Sequence, residues 1–288
     1  MGSIVFPGYE LMFLARELGL LAPEAVRLVE MRSNTDVLRA LGAGQLEAAA
    51  LTLDELLSAR ADGVDLRVVL VLDISEGSDV VLGRPGIRRA ADLKGRRIGV
   101  EDSAGGAVML GALLDAAGLS VEQIHKVPIT LNRSIEFYAS GLLDAVVTAE
   151  PWAGTLEAQG AHRLFDSSAI PGLIVDVLAV RADAVERQLS ALRRLVSAQF
   201  EALAAFQRNP EQVAPQLAPR LQLAPANVTA AFRGLKLPDA AQNRAWLQPG
   251  GQLQQSADSL MKMMVKQSLL KQAIDLRQLS DARGLGKR

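Results

Sequence analysis

The chain reads as an α/β protein of two lobes, each built on a doubly wound sheet, with a helical C-terminal region. Three observations predict this. Short apolar runs alternate with helical patterns and end in polar turns through Val180. The length of 288 residues exceeds one minimal core and falls short of three. From Asp183 onward strand-like runs stop and amphipathic helical spacing takes over.

Val5-Phe6 reads as a strand, broken by Pro7-Gly8 before a helix carrying Leu11, Leu14 and Leu18. Val26 to Met31 is the next strand, and Ser33 with Asp36 three residues later opens a helix. Glu47 to Leu51 repeats the unit, with Thr52 and Glu55 as its capping pair. Leu66 to Leu72 is a fully buried strand by its unbroken apolar character. Asp79 to Leu82 and Arg97 to Val100 follow as strands, with a short helix between them that Gly95 stops. A helix after Ser103 carries Leu110, Leu113 and Leu114 on one face and ends at Gly118. Strands at Lys126 to Ile129, Ala145 to Thr148, Arg163 to Phe165 and Leu173 to Val180 complete the alternation, which predicts a mostly parallel sheet. Helices are expected over 132–140, from Pro151, over 189–206 and over 252–271, with no strand beyond Asp183. Residues 1–80 and 174–288 are expected to form one lobe and 84–170 an inserted second lobe, with crossings near 80–84 and 170–174 as a hinge.

Composition limits the function classes. With 31 basic and 32 acidic side chains there is no basic field for nucleic acid. The absence of cysteine removes thiolate nucleophiles, disulfides and cysteine metal sites. No uninterrupted apolar run approaches the length of about 18 residues that inserts into a membrane. The start lies almost inside a strand and lacks a basic, then apolar, leader pattern, so a signal peptide is expected to have been removed. No His-Glu helix pair, phosphate loop, serine triad or calcium-loop spacing occurs, and no cofactor or metal is expected. His125 and His162 lie outside the strand-end turns and read as surface residues.

Six motifs in order carry a resemblance. They are Pro7-Gly8-Tyr9-Glu10, Leu38 to Gly44, Thr52-Leu53-Asp54-Glu55, Asp92 to Val100, Asp144 to Trp152 and Phe165-Asp166-Ser167-Ser168. Over residues 4–208 the chain resembles the periplasmic solute-binding proteins of nitrate, sulfonate and taurine type ABC importers, the NMT1/THI5-like group. The resemblance implies a two-lobe type II periplasmic binding fold that closes on one small molecule. It also implies a periplasmic location and delivery to a membrane permease and its ATPase.

In open α/β sheets ligands lie beyond the carboxyl ends of the strands, where the turns meet. Tyr9 and Trp152 stand at two such turns, one in each expected lobe, and offer large rigid contact area. Ser33 and Thr52 read either as caps of their own helices or as ligand contacts, while Asn34 and Asp54 lack the capping duty. Ser103, Ala104 and Gly105 open a helix with no acid three residues after the serine, which leaves backbone N–H groups for a ligand oxygen. Asn132 and Pro171 fall in two further turns. Glu10, Asp54, Asp73, Glu101 and Glu150 make the turns acidic, with Arg133 the clearest base, so the expected ligand carries an amine, a heterocyclic N–H or hydroxyls rather than being a bare oxyanion. The expected role is a binder rather than an enzyme. An enzyme on the same fold, of the pyrimidine-precursor or menaquinone-pathway type, and a ligand-sensing domain are the alternatives.

Overall fold

The computed structural model describes residues 1–101 and 105–286. Among them the strands begin with β1 (Gly2–Ser3), β2 (Val29–Glu30), β3 (Ala48–Thr52), β4 (Leu66–Ser75), β5 (Asp79–Gly83) and β6 (Arg97–Val100). Then come β7 (His125–Pro128), β8 (Ala145–Ala149), β9 (His162–Asp166), β10 (Val175–Arg181) and β11 (Leu235–Lys236). They form two sheets. The six-stranded sheet runs β11-β4-β10-β3-β1-β2 and the five-stranded sheet runs β7-β6-β8-β5-β9.

Both sheets are mixed, not mostly parallel. β1 pairs in parallel with β2 and β3, whereas β10 lies antiparallel to β3 and β4. In the other sheet β6 is parallel to β7 and β8, while β5 is antiparallel to β8 and β9. The reason is the route of the chain. It leaves the first sheet after β4 and re-enters it as β10, so each sheet contains one strand that arrives from the other and runs against its neighbours.

Those two passages are laced together. Ser75 and Ser167 hydroxyls lie 2.7 Å apart, and Ser167 Oγ also accepts from Gly77 N at 2.7 Å. Gly234, at φ +80°, presses on the first passage: a Cβ there would stand 2.5 Å from Ser78 N. Glu76 N donates to Gly234 O at 2.7 Å, which fixes the same turn.

β4 is buried along nearly its whole length, as its apolar run demands. The 20-residue helix Leu189–Arg208 buries Leu192, Leu195, Val196, Leu203 and Phe206, each worth about 1.5–3 kcal/mol when fully removed from water. Met261 and Met264 of helix Gln252–Lys266 face the same core.

Several boundaries differ from expectation. Val5-Phe6 is not a strand, because Pro7–Tyr9 forms a 3-10 turn entered directly from extended Phe6. Val26 to Met31 contracts to two residues, the length over which β2 finds β1 as a partner. β11 was unanticipated, since two residues carry no period to read. The last long helix ends at Lys266, five residues early, where the chain turns through Ser268 at φ 60°.

Candidate functional site

Two cavities with shared walls lie between the sheets. The outer one has a volume of about 430 Å³ and is lined by Ser33, Asn132 and Trp152, with Arg32, Glu30 and Arg220 among its charged groups. The inner recess is about 40 Å³, room for roughly three waters at ~10–15 Å³ each. Ile4, Glu101 and Leu131 belong to both walls.

Both sheets build the recess. From the six-stranded side come Phe6, Tyr9, Asn34, Thr52, Ile174 and Asp176; from the other side come Asp79, Glu101, Gly105, Val147 and Thr148. A Cβ at Gly105 would lie 3.6 Å from Ile174 Cδ1 and 3.8 Å from Thr52 Cγ2, so helix Gly105–Ala117 begins against the opposite sheet.

The polar groups are fixed from behind. Tyr9 is buried and its hydroxyl donates to Asp176 Oδ1 at 2.8 Å. Glu101 is 7% exposed; its Oε2 accepts from Leu131 N at 2.8 Å, and its Oε1 has no partner among the described residues. Asn34 is 4% exposed and its Oδ1 also has none. Ser33 caps its helix by accepting from Asp36 N at 3.2 Å, and Thr52 N donates to Glu55 at 2.9 Å, so both turns keep the capping geometry read from the sequence.

Acid accumulates under the recess. Asp73 and Asp176 are cross-strand partners on β4 and β10. Burial raises both, Asp73 to about 7; the Asp73 carboxyl pushes Asp176 up further, while Asp176 pulls Asp73 partly back down, so the pair ionises reluctantly. Burial also raises Asp79 and Asp54 to about 6. Glu101 is pushed up by burial, against the pull of the Leu131 N–H.

The sequence-predicted residues divide. Tyr9, Asn34, Thr52, Glu101 and Gly105 line the recess, and Ser33, Asn132 and Trp152 line the outer cavity. Ser103 and Ala104 lie outside the described residues. Five others line neither cavity. Glu10 is fully buried and bound by Arg220, at 2.6 Å from Nε and 3.1 Å from Nη2. Asp73 sits behind Gly8, where a Cβ would come within 1.7 Å of Asp73 Oδ2, and Asp54 is buried with its Oδ1 3.9 Å from where a Cβ on Gly105 would stand. Glu150 accepts from Gly154 N at 3.1 Å and caps its own helix, while Pro171 is exposed at the surface. Arg133 pairs with Glu136 outside the cavities.

Sequence reasoning missed Asp79, Asp176, Thr148, Arg32 and Arg220. For Asp176 a signal existed, a lone acid inside an apolar strand, where a charged side chain is rarely buried unpaired. Arg220 comes from helix Pro210–Leu221, far from any strand-end turn, and reaches the site only through the tertiary fold. No cluster of metal-ligating side chains occurs among the described residues, and no helix there is long and apolar enough to cross a membrane.

The comparisons agree on the scaffold. A Brucella abortus (strain 2308) chain named "Putative binding protein" is 27% identical over 169 residues, 56% of this chain. This chain spans about half the length of the curated relatives it matches, 52% for that one. Among solved structures, the alkanesulfonate-binding protein SsuA from Xanthomonas axonopodis pv. citri bound to MOPS superposes with a TM-score of 0.79 at 19% identity, covering 95% of each chain. The periplasmic nitrate-binding protein NrtA from Synechocystis PCC 6803 gives 0.76 at 13% identity, covering 99% of this chain and 86% of its own. The desulfurization enzyme DSZB gives 0.68 at 21% identity, covering 99% and 97%. These likenesses show the fold, the two-lobe arrangement of periplasmic binding proteins. The NMT1/THI5 like family profile matches residues 9–213, and on that match over more than half its length the chain belongs to the NMT1/THI5-like family.

Proposed function

We propose that this chain is the solute-binding component of an ABC importer, capturing a small polar organic molecule between its lobes and presenting it to a membrane permease and ATPase. The observation that carries the reading is the recess assembled from both sheets, with Tyr9 and Asp176 on one side and Glu101 and Thr148 on the other. A ligand that touches both sides stabilises the closed arrangement by its differential contacts, and no bond need break. In this reading each sheet with its helices is a moving lobe and the passages tied by Ser75 and Ser167 are the hinge, which lies before the crossings at 80–84 and 170–174 expected from the sequence because β5 (Asp79–Gly83) already belongs to the second sheet. The location is periplasmic, the compartment named for the NrtA relative of the same fold.

Catalysis is the second reading, favoured by the DSZB likeness and by Asp79, an acid of the recess wall raised by burial to about 6. The chain has no cysteine, so it would have to proceed without a thiol. Native mass spectrometry of the purified protein separates the two. A co-purified molecule released unchanged after prolonged incubation supports the binder; conversion of that molecule would sink it. Solution scattering gives the second readout, with a smaller radius of gyration in the liganded form.

A further inference from the structure

We propose that the inner recess receives a positively charged nitrogen head group, an ammonium or amidinium, while the rest of the ligand lies in the outer cavity against Trp152. The inference rests on the cleft-binding reading and fixes the charge and orientation of what is bound. Two buried acceptors in the recess wall, Glu101 Oε1 and Asn34 Oδ1, have no donor among the described residues, and a buried acceptor left unpaired costs about 1–3 kcal/mol. The Glu101 carboxylate is aimed, because Leu131 N holds its other oxygen. Asp79 Oδ2, in the same wall, is likewise without a donor. The described wall sets these carboxyl and amide acceptors beside only uncharged donors, the Thr52 hydroxyl and the first N–H groups of helix Gly105–Ala117, and contains no Lys, Arg or His. An ammonium brings three N–H donors and an amidinium four, with the charge that carboxylates favour. A sulfonate or nitrate there would stand against Asp79, Glu101 and Asp176 in about 40 Å³, with no cation to offset the desolvation of either charge. The same volume admits a head group and not a whole molecule, which assigns the body to the 430 Å³ outer cavity.

Benzamidine, benzamide and benzoate test this by calorimetry, since they share a phenyl body and differ in the charge of the head. Benzamidine is expected to bind at least about tenfold more tightly than benzoate. Glu101→Gln keeps the side-chain shape and an acceptor for Leu131 N, and is expected to weaken benzamidine by about tenfold while leaving benzoate unchanged or improved. Thermal melting checks the fold of the variant, and Asn34→Ala replaces it if it is unstable. Tighter binding of benzoate or methanesulfonate, lost in Trp152→Ala, overturns the charge assignment and leaves the cleft reading standing. Benzamidine binding that ignores both Glu101→Gln and Asn34→Ala places the head group elsewhere and overturns the inference. If no probe binds at millimolar concentration the inference also falls. The cleft reading is then decided separately, by whether Trp152→Ala loses the co-purified molecule.

Discussion

Trp152 is half-buried on the outer cavity wall and belongs to neither core cluster, so its ring is available to a ligand at little cost to the fold. Trp152→Ala is expected to weaken binding by at least about tenfold in calorimetry. Its melting temperature should move by less than about 2 °C. An unchanged affinity with a large drop in melting temperature would assign the ring to packing. Residues at strand ends followed by a capping pattern, such as Asn34 and Thr52, were legible because local chemistry sets their position. Glu10 and Asp73 were misread for a reason of the same scale. A turn acid can point into a cleft or back into the core, and only the partner, Arg220 for Glu10, decides between them.

At the scale of the element, helix Pro210–Leu221 is tied to the helix Glu10–Glu17 through one side chain. Arg220 binds Glu10 and Glu30 and lies 3.5 Å from the Phe13 ring centroid. Removing it strands a buried carboxylate, so Arg220→Met is expected to cost about 3–5 kcal/mol in chemical denaturation. The double variant Glu10→Leu/Arg220→Met should recover most of that loss, because the buried charge leaves with its partner. A single variant as stable as the parent would show that the pair contributes nothing. Gly234 permits a second test. A methyl group there collides with the backbone of Gly77 and Ser78 and the residue sits at φ +80°, so Gly234→Ala should destabilise by about 1–3 kcal/mol. Long elements such as β4 and helix Leu189–Arg208 were readable from their periodicity. The two-residue strands were not, since their pairing is decided by partners that are distant in sequence.

For the whole molecule, the buried acids set the dependence of stability on pH. Asp54 and Asp79 have folded values raised to about 6 and Asp73 to about 7, all above their ordinary 3.8. Between pH ~4 and ~7 the folded state therefore holds more protons than the unfolded chain, and stability falls as pH rises through that window. Asp144 and Asp281 are lowered, chiefly by Arg97 and Arg283, and act in the opposite sense, losing their contribution below pH ~4. The unliganded protein should thus melt higher at pH 5 than at pH 8, and a flat or rising profile across that range would contradict the protonation assigned to the acidic floor. The two-lobe α/β architecture was legible in the alternation of strands and helices. The mixed strand directions were not, because direction depends on which sheet a strand returns to.

In the proposed importer role, the unequal sizes of the two cavities divide the work of selection. A recess of about 40 Å³ judges only the few atoms that enter it, while an outer space of about 430 Å³ tolerates many shapes. A receptor divided in this way is strict about one end of its cargo and permissive about the other. Competition among compounds with one terminus and different tails would then follow the terminus. Such a carrier would serve a chemical series, and drift at Trp152 or Asn132 would retune which members of the series it prefers without disturbing the acids beneath.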